Sequence, residues 1–257
     1  MRVQVMSDLH TDFPGAGGVP RLAHGAALVL VAGDTCQGLV RAIEILRRAF
    51  PETEIAMVAG NHEYYSRCLP DELEAGRARA EELGVHLLER DTVIIGNLRI
   101  IGATTWTDYE LFGAALRIPA MRTAADVMQD HKSIKWRKTP WQRFRPEEAR
   151  ALHLQSRAYI EAELAKLHQG PSLVLTHHAA TIEAIAPQFQ RSLVSAAYAS
   201  ELLPIVDRYQ PRWWVSGHTH MSINLQRGFT RLVSNPYGYA GENQFYDPLL
   251  TIEVNHD

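Results

Sequence analysis

Five apolar runs in this chain each lead into a short motif rich in Asp, Asn, His and Gly. Residues 3–6 lead into Asp8-Leu9-His10, and residues 26–32 into Gly33-Asp34. Residues 55–58 precede Gly60-Asn61-His62-Glu63, residues 173–175 precede Thr176-His177-His178, and residues 213–215 precede Ser216-Gly217-His218-Thr219-His220. Short apolar runs bounded by such residues read as strands, and the run at 26–32 as one buried on both faces. An open α/β sheet gathers its functional groups at strand ends. Seven neutral or anionic donors converging there describe a two-metal hydrolytic site.

The sequence between these runs predicts alternating strands and helices. Leu39, Ile43, Leu46 and Phe50 lie at helical spacing and Pro51 closes that helix. Pro70 fits a first helical position, with Asp71 and Glu72 in the first turn and Gly84 as the stop. β-α-β-α alternation of this kind predicts an α/β fold. Residues 85–88, 92–95 and 98–102 then read as strands in quick succession, with Gly96-Asn97 as a tight hairpin turn. They predict a second, more antiparallel layer. A long helix is expected from Pro146 to about His168, with an imperfect stripe of Ala151, Leu154, Ala158, Glu161 and Leu164. Residues 201–209 read as helix, and residues 223–225, 231–233 and 249–254 as strands. Residues 106–145 break the rhythm and hold three of the five tryptophans. They read as a cap inserted over the site, within a single domain covering 1–257.

Composition narrows the classes. The chain has 257 residues, 46% hydrophobic and 21% charged, an ordinary globular balance. A formal charge of −3 argues against general coating of nucleic acid or an anionic membrane. No apolar stretch reaches the roughly 20 residues that span a bilayer. Residues 1–6 run directly into Asp8, so no signal peptide is expected. Two cysteines, Cys36 and Cys68, indicate no disulfide framework and a reducing cytoplasm.

The motifs resemble, in order and over residues 8 to 220, those of the calcineurin-like metallophosphoesterase superfamily, in particular its small bacterial-type phosphohydrolases. The resemblance implies a two-sheet β-sandwich flanked by helices, a four-layer sandwich. It implies that Asp8, His10 and His220 hold one metal, that Asn61, His177 and His218 hold a second, and that Asp34 bridges them. Imidazole and oxygen donors without thiolate suit Mn, Fe, Zn or Ni, with Mn or Fe favoured. Two divalent ions against two carboxylates leave a pocket near +2 that attracts phosphate. A metal-bridging hydroxide would then attack phosphorus in line. His62 is implied to stabilise the transition state and protonate the leaving alkoxide. In the phosphoprotein-phosphatase branch an aspartate orients this histidine; here Gln37 stands at that position, and Glu63 is the other candidate partner.

The substrate is expected to be a small or nucleotide-like phosphodiester or phosphomonoester. His178 follows a ligand and could touch its phosphate, or be a rim residue. Tyr237, in Asn235-Pro236-Tyr237-Gly238-Tyr239, stands where small bacterial members more usually carry arginine, and shapes a pocket wall or a simple turn. Residues 131–145 hold six bases and no acids, leaving −9 on the rest of the chain. Lys135 and Arg137, interleaved with Trp136, Trp141 and Phe144, could grip a nucleotide or single strand by charge and stacking. The same pattern fits a solvated loop whose aromatics pack inward. Asp108, Tyr109 and Asp130 flank this segment and could also face substrate. No long duplex nucleic acid is expected as a partner. Other readings are a scaffold that has lost catalysis, which predicts broken donor sets, and a nuclease acting on short nucleic acid.

Overall fold

Residues 1–254 are described in a computed structural model of the chain. In chain order the first elements are β1 (Arg2–Met6), β2 (Ala26–Val31), α1 (Leu39–Ala49), β3 (Glu54–Met57), α2 (Leu69–Leu83) and β4 (His86–Leu87). Next come β5 (Asp91–Ile95), β6 (Leu98–Ala103), α3 (Arg117–Val127), α4 (Asp130–Ser133), β7 (Lys135–Arg137) and β8 (Gln142–Arg143). The chain continues through α5 (Pro146–Ala165), β9 (Ser172–Thr176), α6 (Leu203–Tyr209), β10 (Trp213–Ser216), β11 (Ile223–Arg227), β12 (Thr230–Ser234) and β13 (Thr251–Glu253). Two mixed sheets result. One has the order β13-β1-β2-β3-β4, the other β11-β12-β10-β9-β6-β5. Strands β1 to β4 run parallel, as do β6, β9, β10 and β12; the antiparallel partners sit at the edges.

Side-chain alternation along the strands builds the layers. Val3, Val5, Leu28, Leu30 and Val58 meet Ile100, Leu173, Leu175 and Val215 between the two sheets. The alternate residues Val29, Val31, Ile55 and Met57 face Leu39, Ile43, Leu46 and Leu69 of α1 and α2. On the far side Ile101, Val174, Trp214 and Leu232 pack on Ile160 and Leu164 of α5 and on Ile205 and Val206 of α6. The central strands are thus covered on both faces, which is why they read as unbroken apolar runs. Each such side chain contributes about 1.5–3 kcal/mol. Gly76 lets α2 approach α1, since a Cβ there would lie 2.4 Å from a Leu39 methyl carbon. Among the described residues no helix is long and apolar enough to cross a membrane.

Two expectations change. Helix α5 ends at Ala165, and its buried face carries Ala149, Leu152, His153, Ser156, Ile160 and Leu164. Of the expected stripe only Leu164 is buried, because two polar residues occupy the inward face. The segment 106–145 contains real elements, including α3, which the sequence does not announce. That helix buries only Ala120, Met121 and Ala124, too thin a stripe to register as periodicity.

Candidate metal centre

The carboxyl ends of β1, β2, β3, β9 and β10 deliver the five motifs to one place. The loops after them are locked together by hydrogen bonds. Asp8 N donates to Gly33 O (3.0 Å), His10 N to Asp34 O (3.1 Å) and Gly217 N to His177 O (2.9 Å). Both Asp8 carboxylate oxygens accept from His218 N at 3.0 Å. The motif glycines are steric necessities. A Cβ at Gly60 would lie 2.0 Å from Asp34 Oδ1, and one at Gly33 would lie 2.6 Å from both Gly60 N and His177 Nδ1. Asp8, His10, Asp34, His218 and His220 all adopt left-handed backbone, with φ between 43° and 68°. Such a conformation costs an L-residue about 1–2 kcal/mol, and strain of this kind concentrates at functional sites.

All seven expected donors converge. Asp8, His10 and His220 form one group that could hold a cation, and Asp34, His177 and His218 form another. Asp34 Oδ2 stands 3.5 Å from His177 Nε2 and 3.9 Å from His10 Nε2, between the two. Several contacts suit a bound cation. His177 Nδ1 lies 2.7 Å from the Ala32 carbonyl oxygen, so it carries the proton and Nε2 is an acceptor. Asn61 Nδ2 donates to Tyr65 Oη (2.9 Å) and Asp130 Oδ1 (2.8 Å), which turns Asn61 Oδ1 toward that same Nε2 at 3.0 Å. Two buried acceptors face each other there, with His218 Nδ1 also 3.1 Å from that Nε2. His10 Nε2 and His220 Nε2 meet at 3.1 Å, while His220 Nδ1 donates to Glu242 Oε2 at 2.6 Å, so a proton or a cation on His220 Nε2 lies between the two rings. Both members of each pair would serve a cation as donors, and the outer hydrogen bonds from His177 and His220 fix the ring orientations.

Charges are tuned in keeping with this. Burial depresses His10 to about 4, as it depresses His177 and, further still, His218. All three offer neutral nitrogens. Burial opposes the charge on His220, yet Asp8 and Glu242 raise it to about 9; a cation held there would take that proton's place. Burial also works against Asp8, but His220 holds its carboxyl well below the usual range. Asp34 is pushed well up by burial and by Glu63 and Asp8, so divalent charge is what would keep it ionised.

His62 lines the cavity with its Nε2 3.9 Å from Asp34 Oδ2 and its Nδ1 buried without a partner. Its ring lies against Tyr65 and His10, at centroid distances of 4.3 and 4.4 Å. Packing orients it rather than a carboxylate. Burial, then His10 and His177, depress it to about 2, so a proton reaches it only beside an anion. Glu63 points away from His62. Its carboxylate accepts from the backbone N–H of Asp34 (3.0 Å), Thr35 (2.7 Å) and Gly60 (2.7 Å). Burial still pushes Glu63 up to about 7 against those three donors. Cys36 is buried and pushed up to about 12, chiefly by desolvation, which makes it an inert thiol.

Other expected contacts are not where the sequence suggested. His178 lies behind the donors, its Nδ1 3.1 Å from Thr104 O and its ring against His218. Tyr237 donates to Gly15 O; Tyr239, two residues on, stacks on His10 at 4.8 Å and lines the cavity. Lys135 and Arg137 do not line it either. Their hairpin lies against the start of α2: Lys135 N donates to Arg67 O just before the helix, and Lys138 pairs with Asp71 in its first turn. Of the segment's bases Lys138 pairs with α2, while Arg137 donates to Gln142 and Arg145 pairs with Glu148; Phe144 and Trp136 pack into the core. Asp108 and Tyr109 brace the cap through Ser200 and His131. Asp130 does reach the site, through Asn61.

The cavity above the donors has a volume of about 430 Å³. A similar cavity of about 450 Å³ around Arg99 and Arg212 contains none of the donors. The Asp130 contact yields a prediction. Asp130→Ala should free the Asn61 amide to turn and lower affinity for the adjacent metal about 10–100-fold. Titration calorimetry with Mn(II) reads this; wild-type affinity in the variant would show that Asp130 does not orient the ligand.

Two mixed sheets in a helix-flanked sandwich, with His/Asp donors at the strand ends, define a metal-dependent hydrolase of the phosphoesterase class. The chain belongs to the calcineurin-like phosphoesterase family, whose model matches residues 1–222. Among solved structures it is similar to a phosphopantetheinyl hydrolase from Mycobacterium tuberculosis, with 18% identity over 98% of this chain and 96% of that one, TM-score 0.77. It is also similar to a dimetal phosphatase from Danio rerio, with 14% identity over 91% and 86% of the two chains, TM-score 0.55. At these identities the likeness is one of fold. No curated protein matches the sequence.

Proposed function

We propose that the protein is a dinuclear metal-dependent hydrolase of small phosphoesters. The observation that carries this reading is that three overlapping donor groups, Asp8-His10-His220, His10-Asp34-His62 and Asp34-His177-His218, lie together beneath an open cavity, with Asp34 in two of them. Asp8, His10 and His220 would hold one ion, Asn61, His177 and His218 the other, and Asp34 both. The oxygen and nitrogen donors favour Mn or Fe. Such ions, when bound, activate water near neutral pH and neutralise phosphoryl oxygens. Asp34 and Asp8 supply the negative charge that retains them. His62, held between Tyr65 and His10, would give a hydrogen bond to the departing oxygen and, once the substrate anion is beside it, a proton. The intact donor set disfavours a non-catalytic scaffold. The segment 106–145 serves as a cap on a single catalytic unit, since Asp130 reaches from it to Asn61. Two free buried cysteines suit a reducing, cytoplasmic setting. The likeness to a phosphopantetheinyl hydrolase offers one precedent for organophosphate hydrolysis on this fold.

The test is hydrolysis of mono- and bis-p-nitrophenyl phosphate by manganese-loaded protein, with and without chelator. Turnover abolished by chelation is expected; none with either ester, despite two bound metals, would overturn the reading. His62→Ala should lower kcat about 10²–10⁴-fold for an alkyl leaving group. The loss should be smaller for p-nitrophenolate, which needs no proton. Equal losses for both leaving groups would remove His62 from the leaving-group side.

A further inference from the structure

The cavity is far larger than a phosphate needs, and its wall has an uneven chemistry. Val127 and Met128, at the end of α3, face into it together with Ile185, Phe189, Val194 and Tyr198 from the irregular segment that follows β9. Val127 and Phe189 are both 57% exposed. Their polar companions Gln129, Ser195 and Thr219 are uncharged. Among the described residues lining the cavity there is no Lys or Arg. The acids are Asp34, at the donors, and Glu242, which pairs with His220. The nearby bases are engaged elsewhere: Lys132 Nζ donates to Val127 O, Lys138 pairs with Asp71 and Arg145 with Glu148.

We infer that the substrate carries, besides one phosphoester group, an uncharged and largely apolar arm that lies along the Val127–Phe189 wall. The inference rests on the phosphoester reading and deepens it. One phosphate finds compensating charge at the metals. Further phosphates of a nucleoside polyphosphate, or the backbone of a nucleic acid strand, would meet Glu242 and no cation. An alkyl chain instead gains from leaving water along the wall, at about fourfold per fully buried methylene. A cavity of about 430 Å³ accommodates such an arm.

The experiment uses the manganese-loaded full chain and a series of methyl, butyl and hexyl p-nitrophenyl phosphate diesters. Leaving group and charge are constant, and only the arm grows. Burial of two methylenes predicts a rise of at least about tenfold in kcat/KM from methyl to hexyl, expressed mainly in KM. Phe189→Asp and Val127→Asp should each flatten the series, with two manganese ions still bound per chain as the sign of a folded site. ATP and a short oligonucleotide should be poorer substrates than the hexyl ester. A flat or falling series, or an unaltered rise in both variants, overturns the inference while the phosphoesterase reading stands. Absence of turnover throughout the series removes the phosphoesterase reading itself, and the arm with it.

Discussion

Replacing Asp34 with asparagine is expected to abolish phosphoester hydrolysis, by about 10³-fold or more, and to release bound metal. The residue sits between both donor groups, within 4 Å of His10, His62 and His177. A tenfold rate loss corresponds to about 1.36 kcal/mol, so the effect amounts to about 4 kcal/mol of lost transition-state stabilisation. Asparagine keeps an acceptor for the His62 N–H, now 2.9 Å from Asp34 Oδ1, but removes the charge. The metal-free variant should not be less stable than the metal-free wild type. Burial, Glu63 and Asp8 raise the Asp34 pKa in the folded state, so its ionised form costs the fold stability as pH rises above the unfolded value. Loss of activity and metal without loss of thermal stability is the signature of a ligand. Elemental analysis and a melting curve check it. A variant that keeps two metals and wild-type turnover would remove Asp34 from the centre.

Glu63→Ala should produce the largest loss of stability in the molecule's functional half. The wild-type carboxylate satisfies three buried backbone donors, two from the loop after β2 and one from the loop after β3. Leaving each unsatisfied costs about 1–3 kcal/mol. The desolvation that raises Glu63 to about 7 is relieved in the variant and offsets part of this. A net loss of about 3–5 kcal/mol follows, or roughly 10 °C in Tm for a chain of this size. Metal affinity should fall as well, because the same carboxylate holds Asp34 and Asn61 in register. Glu63→Gln tests the geometry: it preserves shape but presents an amide N–H to a backbone N–H, and should recover only part of the loss. An unchanged Tm in Glu63→Ala would show that the loops are held by other contacts.

The strands and the motifs at their ends were legible because each motif follows a strand covered on both faces; the two-sheet sandwich and the division of donors between two metals came from the family resemblance. Periodicity marks the strand, and Gly, Asp and His mark its end. What escaped has no such pattern. Asp130 was named only as a possible substrate contact; its hydrogen bond to Asn61, 69 residues away, lies in a segment whose helices bury few apolar residues, and no spacing betrays that pairing. Glu242 is equally isolated, 22 residues beyond His220. Glu63 was visible but its direction was not, since only the fold turns its carboxylate back onto the loops. Lys135 and Arg137 misled for a complementary reason. Bases alternating with aromatics mark a hairpin lying on the acidic start of α2 as readily as a grip on a phosphate. The apolar cavity wall is assembled from α3 and the irregular segment after β9, two stretches without a readable repeat, so it emerged only in three dimensions.

Anomalous diffraction from crystals of the manganese-loaded protein tests the central claim most directly. Two manganese peaks are expected, one among Asp8, His10 and His220, the other among Asn61, His177 and His218, with Asp34 touching both. A single peak, or two peaks neither of which contacts Asp34, would contradict it.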